Sequence, residues 1–106
     1  MKRYDIHWAS LDPSTGAEMA KTRPVVIVSL DALNARLATV TVCPLTTQLH
    51  PTWRSRLGMR LGGRDAEIAV DQIRTLSKTR LGKKLGTLPA ARAGALRRLI
   101  TEMYGE

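Results

Sequence analysis

Lys21-Thr22-Arg23-Pro24-Val25-Val26-Ile27-Val28-Ser29 is the stretch whose reading decides the fold. Val25 to Val28 are apolar with no polar alternation, which predicts a strand covered on both faces, at the centre of a sheet rather than its edge. Pro24 has no N–H to give a ladder and fits a strand's first position, and it forces Arg23 into extended backbone. A guanidinium held this way offers a planar fork of donors suited to a phosphate. An ordinary basic residue at a strand's start reads the same in isolation, so the rest of the chain has to decide between them.

At 106 residues and 43% hydrophobic, the chain is expected to be one domain spanning 1–106, with a real core. No apolar run approaches the length of a membrane span. Met1-Lys2-Arg3-Tyr4-Asp5 leads straight into strand-like sequence without a signal peptide's apolar segment, so a cytoplasmic protein is expected. A single cysteine, Cys43, excludes an internal disulfide and reads as a small buried residue. With one Cys and two His, a zinc site built by the protein is not expected. Lys and Arg outnumber acids 17 to 9, and the net charge of +8 implies a polyanionic partner, with nucleic acid leading. There is no Phe, and only Tyr4, Trp8, Trp53 and Tyr104 are aromatic, so an extended base-stacking platform is poorly supplied.

Upstream of the central run, Tyr4, Ile6 and Trp8 alternate with Asp5 and His7, the pattern of a half-buried strand pairing with it. Asp12-Pro13-Ser14-Thr15-Gly16 is a cluster of turn formers, and the loop it opens brings Glu18 and Lys21 close to Arg23. Downstream, Asp31 to Ala35 predicts one helical turn capped by Asp31. Ala38 to Leu45 predicts a second core strand that Pro44 ends, with the polar Thr46-Thr47-Gln48 at its exit. From Trp53 to Leu61 the chain alternates again, setting Arg54, Arg56 and Arg60 on one face. Such a basic stripe can track a phosphate backbone or guard an edge strand.

Gly62-Gly63 predicts a tight turn, and Ala66 to Leu76 one long strand. On that strand Gln72 continues the apolar face of Ile68 and Val70, which demands a hydrogen-bond partner or a ligand, and Arg74 follows on the same parity. Ser77 to Leu81 reads as a short capped turn and Lys83 to Leu88 as a brief final strand. From Pro89 an amphipathic helix carries Leu96, Leu99, Ile100 and Met103, and Gly105 lies beyond its end.

The acids are scattered along the chain, so no metal site and no cofactor is expected. RNA carries its own nucleophile in the 2′-hydroxyl, and cutting it needs only an aligned phosphodiester, proton acceptor and donor groups, and charge stabilisation at phosphorus. Arg23 can supply the charge and Thr46 can hold a phosphate oxygen, while Glu18 is the only acid near Arg23 in sequence. Arginine stays protonated at neutral pH, so it is a stabiliser or proton donor rather than a base. His7, mid-strand, and His50, on the loop after Gln48, rank below Arg23 and Thr46.

Several spaced motifs together are more specific than any one of them. Asp5-Ile6-His7-Trp8, Leu11-Asp12-Pro13, Gly16-Ala17-Glu18, Thr22-Arg23-Pro24-Val25-Val26, Pro44-Leu45-Thr46-Thr47-Gln48, Asp71-Gln72-Ile73-Arg74-Thr75, Arg80-Leu81 and Leu85-Gly86, in that order, resemble the MazF/PemK family of toxin endoribonucleases. The resemblance implies an α+β fold: a small, strongly bent SH3-like β-barrel with a C-terminal helix. It also implies a homodimer, metal-independent cleavage of single-stranded RNA to 2′,3′-cyclic phosphate and 5′-hydroxyl ends, and an antitoxin partner with an acidic tail. By motif, Arg23 and Thr46 match the family's catalytic pair, with Glu18 beside them. Gln72, Thr47, Gln48, Lys21, Arg54, Arg56 and Arg74 are the candidate RNA contacts. The chain departs from the family at Tyr4, where a glycine is common, and at Ala17 and Ala66, where serines are common. The alternative is a non-catalytic module of the CcdB type that binds DNA gyrase, since a shared barrel does not decide function.

Overall fold

The apolar run at 25–28 is the middle of the sheet, as its composition predicts. The computed structural model describes residues 1–13 and 15–105; Ser14, in the predicted turn cluster, and Glu106 lie outside the described residues. The elements are β1 (Asp5–Ser10), β2 (Thr22–Ile27), α1 (Asp31–Arg36), β3 (Thr39–Thr46), β4 (Arg56–Leu61), β5 (Arg64–Ala69), β6 (Arg74–Ser77), β7 (Leu81–Thr87) and α2 (Ala90–Tyr104). The seven strands run in the order β4-β5-β3-β2-β1-β7, with β6 also paired to β3, and every pairing is antiparallel. No described helix is long and apolar enough to cross a membrane.

β2 shows why the run has no polar alternation. Val26 and Val28 enter one core cluster with Cys43, Leu45, Ile68 and the α2 residues Ala93 and Leu96, while Val25 and Ile27 enter another with Leu11, Val40, Val42 and Leu76. Each side chain of the run therefore leaves water, whichever face it points to. On the first face α2 lays down its apolar stripe, with Leu96 fully buried and Leu99, Ile100 and Met103 packed around it. Pro89 is the helix N-cap and Gly105 its C-cap, where the sequence places the boundaries.

Four local expectations are corrected. Asp31 does not cap α1: the N-cap is Leu30 with no side-chain cap bond, and the Asp31 carboxylate instead accepts the Arg3 N–H at 2.7 Å. Pro44 does not end β3, which runs on to Thr46. Residues 39–42 pair with β6, whereas Leu45 and Thr46 pair with β5, so a residue lacking an N–H falls where the strand changes partners and its ladder is already interrupted. The predicted strand 66–76 is broken by a 3-10 turn at Val70–Gln72 into β5 and β6, which lets the chain leave one half of the curled sheet and rejoin the other. β1 does not show one buried and one open face: Asp5, Ile6, His7 and Ala9 are buried, and Trp8 is 40% exposed. β1 lies between β2 and β7, and its register with β7 shifts on either side of His7, an irregularity that re-aims side chains.

Two buried polar groups follow from that placement. His7 Nδ1 donates to the Gly82 carbonyl at 3.0 Å, so the ring serves the sheet. Asp5 accepts from the Lys2 N–H at 3.0 Å and the Thr87 hydroxyl at 3.2 Å, and it pairs with Lys84 at 3.3 Å. Burial alone would raise the Asp5 pKa; the Lys2 N–H, the Lys84 ammonium and the Thr87 hydroxyl together outweigh it and hold the carboxyl below the ordinary aspartate value of 3.8. A lowered folded-state pKa means stability that is present above the unfolded value and lost as pH falls through the folded one. Asp5→Asn is therefore expected to melt below the wild type at pH 7, with the gap closing as pH drops below 3.8. Thermal melts of the two proteins across that range check it.

Tyr4, just before β1, has φ +74°. That left-handed backbone costs a side-chain-bearing residue about 1 kcal/mol or more. It is held by two backbone bonds, Tyr4 N–H to Ile27 O at 2.7 Å and Leu88 N–H to Tyr4 O at 2.9 Å. The guanidiniums of Arg3 and Arg97 lie 5.0 and 5.9 Å from its ring, and Arg97 donates to its hydroxyl at 3.1 Å.

Candidate functional site

The register of β2 on β3 sets Val25 opposite Pro44 and Val26 opposite Cys43; continued two residues, it brings Arg23 opposite Thr46. Both line a single cleft of about 480 Å³, together with Thr47, Trp8, Pro24 and Arg64. The Arg23 Nε donates to the Ala20 carbonyl at 3.1 Å, which fixes the plane of the guanidinium. Thr46 is 5% exposed, and its Oγ1 accepts the Gln48 N–H at 3.1 Å. Among the described residues the Thr46 O–H has no acceptor, so it is free to donate to a ligand in the cleft it lines. One fixed guanidinium and one oriented hydroxyl converging on open space are suited to hold two oxygens of a phosphate.

The remaining candidates divide. Thr47 is exposed in the cleft, whereas Gln48 is exposed beyond it and contributes its N–H to Thr46. Glu18 is not brought into the cleft: its carboxylate accepts the Thr15 N–H at 3.1 Å on the exposed loop between β1 and β2. Lys21 closes the base of that loop, with φ +67°, its N–H on Asp12 Oδ1 at 3.0 Å and its carbonyl accepting the Leu11 N–H at 2.9 Å. The polar demand at Gln72 is met by the protein itself, since its Oε1 accepts the Met19 N–H at 3.2 Å. Arg74 reaches the Leu11 carbonyl at 3.4 Å. Gln72 and Arg74 therefore anchor the loop that leads into Arg23.

The basic stripe is corrected. β4 begins only at Arg56, so Arg54 lies outside the strand, and each of the three arginines meets an acid. Arg54 pairs with Glu102, and Arg60 with Asp65 at 2.8 Å. Arg56, its side chain only 6% exposed, binds Asp71 at 3.0 Å and Glu67 at 3.5 Å. Glu67 also accepts the His50 N–H at 2.9 Å, the His50 ring stacks on Trp53 at 3.8 Å, and Arg56 lies 4.8 Å from the Trp53 ring. This cluster is a structural clamp on the loop after Thr46, and alternation alone cannot reveal that its arginine faces acids rather than water.

Two cleft residues escape the sequence reading. Trp8 was expected on a buried face, and Arg64 follows the Gly62-Gly63 turn with no pattern to mark it. Cys43, although close in sequence to Thr46, is no nucleophile: burial, with a smaller contribution from Asp71, pushes its thiol up to about 12. Among the described residues no three His, Cys, Asp or Glu side chains converge as metal ligands would.

Known proteins of similar sequence and similar shape agree with one another. Residues 2–104 match the family described as PemK-like, MazF-like toxin of type II toxin-antitoxin system. Endoribonuclease MazF2 of Mycobacterium bovis is 35% identical over 102 residues, covering 86% of this chain and 85% of that protein. Endoribonuclease EndoA of Bacillus subtilis is 36% identical over 90 residues, covering 80% and 78%. Among solved structures, the Mycobacterium tuberculosis toxin MazF-mt6 superposes with a TM-score of 0.79 at 26% identity, over 94% of this chain and 95% of that one. MazF from Deinococcus radiodurans reaches 0.87 at 20% identity, over 100% and 97%. A mycobacterial endoribonuclease solved in complex with its cognate antitoxin reaches 0.82 at 24% identity, over 99% and 95%. The curled antiparallel sheet with its closing helix, and a match over nearly the whole chain, place this protein in the PemK/MazF family of toxins of type II toxin–antitoxin systems.

Proposed function

We propose that this toxin endoribonuclease cuts single-stranded RNA in the cleft between β2 and β3, by attack of the substrate's own 2′-hydroxyl. The 2′-oxygen forms a bond to the adjacent phosphorus while the bond from phosphorus to the 5′-oxygen breaks. The 2′-proton passes to an acceptor, and the departing 5′-oxygen takes a proton, leaving 2′,3′-cyclic phosphate and 5′-hydroxyl ends. Arg23 meets the charge that grows on the phosphoryl oxygens, and the Thr46 hydroxyl holds one of those oxygens in place. The observation that carries this reading is that Arg23 and Thr46, from different strands, line the same cleft. The names of the curated relatives favour it over the gyrase-binding alternative.

In this reading the protein works as a cytoplasmic homodimer, and the polyanion implied by the +8 charge is RNA when it is free and the acidic tail of an antitoxin when it is neutralised. The chemistry is read from the ends it leaves. Purified protein incubated with a transcript pool in the presence of a chelator is expected to produce fragments whose 5′ ends accept phosphate from a kinase directly and whose 3′ ends need acid opening before dephosphorylation. Fragments with 5′-phosphate ends, or cutting that the chelator stops, would reject the mechanism.

A further inference from the structure

Of the two tryptophans, Trp53 is already engaged by His50 and Arg56, whereas Trp8 is not. Trp8 is 40% exposed in the cleft, and among the described residues its ring has no aromatic or cationic partner and its indole N–H no hydrogen bond. It is nevertheless held on a paired strand, directly across from Pro24, the residue after Arg23. Leu45, Leu61 and Leu85 give the same cleft an apolar floor. Arg64 also lines it, exposed and without an ion pair among the described residues, in contrast to Arg54, Arg56 and Arg60. A site for phosphate alone has no use for an open indole face over leucines. A flat aromatic ligand joined to phosphates has a use for all of it.

We propose that Trp8 stacks one nucleobase next to the scissile phosphate and that Arg64 takes a neighbouring phosphate, so that the cleft binds a splayed nucleotide and not only the bond to be cut. This rests on the reading of the cleft as the RNA-cleaving site. A base inside a duplex has both faces covered, so an indole that must take one face selects single strands. Stacking tolerates every base because each has a π-face, so Trp8 sets where a base is seated more than which base it is.

The test uses a short RNA spanning a cut site mapped for the wild-type protein, and copies of it with one abasic nucleotide at each flanking position in turn. Trp8→Ala is expected to raise KM roughly 5- to 150-fold, with a smaller change in kcat, and Trp8→Phe to recover most of the loss. One abasic copy should weaken the wild type to a similar degree and add little to the defect of Trp8→Ala, since the ring and the base are two halves of one contact. Arg64→Gln should flatten the dependence of log affinity on log salt by about 0.7, measured on the RNA made uncleavable by a 2′-deoxy sugar at the cut. An unchanged KM for Trp8→Ala, or abasic penalties equal in the two proteins, overturns the inference while wild-type cleavage stands. Failure of the wild type to cut any RNA would instead overturn the reading beneath it.

Discussion

Arg23→Ala protein is expected to cleave RNA ~10²–10³-fold more slowly than the wild type, with the loss in kcat, because the guanidinium matters most when charge builds on the phosphoryl oxygens. The substitution also removes the 3.1 Å bond from Nε to the Ala20 carbonyl, so the variant needs a folding control. That bond ties a half-buried side chain to an exposed loop, and its loss should cost about 1 kcal/mol, leaving the protein folded at assay temperature. Arg23→Lys keeps a positive charge without the planar fork and should recover only part of the rate. Single-turnover cleavage beside thermal melts of the three proteins decides the matter. A folded Arg23→Ala variant that cuts at the wild-type rate would remove Arg23 from the chemistry.

Arg56→Ala is expected to lose ~3–5 kcal/mol of stability, far more than a surface arginine would cost. Arg56 and Glu67 are both nearly sealed from solvent, with side chains 6% and 7% exposed, and removing the guanidinium strands the Glu67 carboxylate there. Asp71 loses its partner at 3.0 Å as well, and the Trp53 ring loses the cation beside it. Replacing Arg56 and Glu67 together by apolar residues of similar volume should restore much of the loss, because the only carboxylate then left without its arginine is Asp71, whose side chain is 28% exposed to water. Denaturant midpoints for the single and double variants measure both effects. A loss below about 1 kcal/mol for Arg56→Ala would mean that the cluster is solvated.

How far the sequence reveals the molecule depends on how local the controlling physics is. The continuous apolar run of β2 can be read directly, because only a strand buried on both faces has a use for it, and Gly62-Gly63 gives the hairpin of β4 and β5 two residues at φ +57° and +79°. The Arg23 and Thr46 pair is legible for a similar reason, since both sit at the ends of core strands that must lie side by side. What stays hidden is set by long-range partners. Arg56 reads as a solvated stripe residue until Glu67 and Asp71 are folded against it, and Gln72 reads as needing either a hydrogen-bond partner or a ligand until Met19 is seen to supply a partner. Trp8 is misplaced because the alternation of β1 presumes one open face, whereas β7 covers that strand from the other edge with a shifted register.

The change of partners along β3 reaches beyond local geometry. β3 is the single strand on which β2, β5 and β6 all converge, and the residue it sends into the cleft is its last, Thr46. If this strand leaves, β2, β5 and β6 each lose a partner, so the stabilities of the two halves are coupled through it. The hydroxyl proposed to hold the substrate is thereby mounted on the strand that joins the two halves of the sheet.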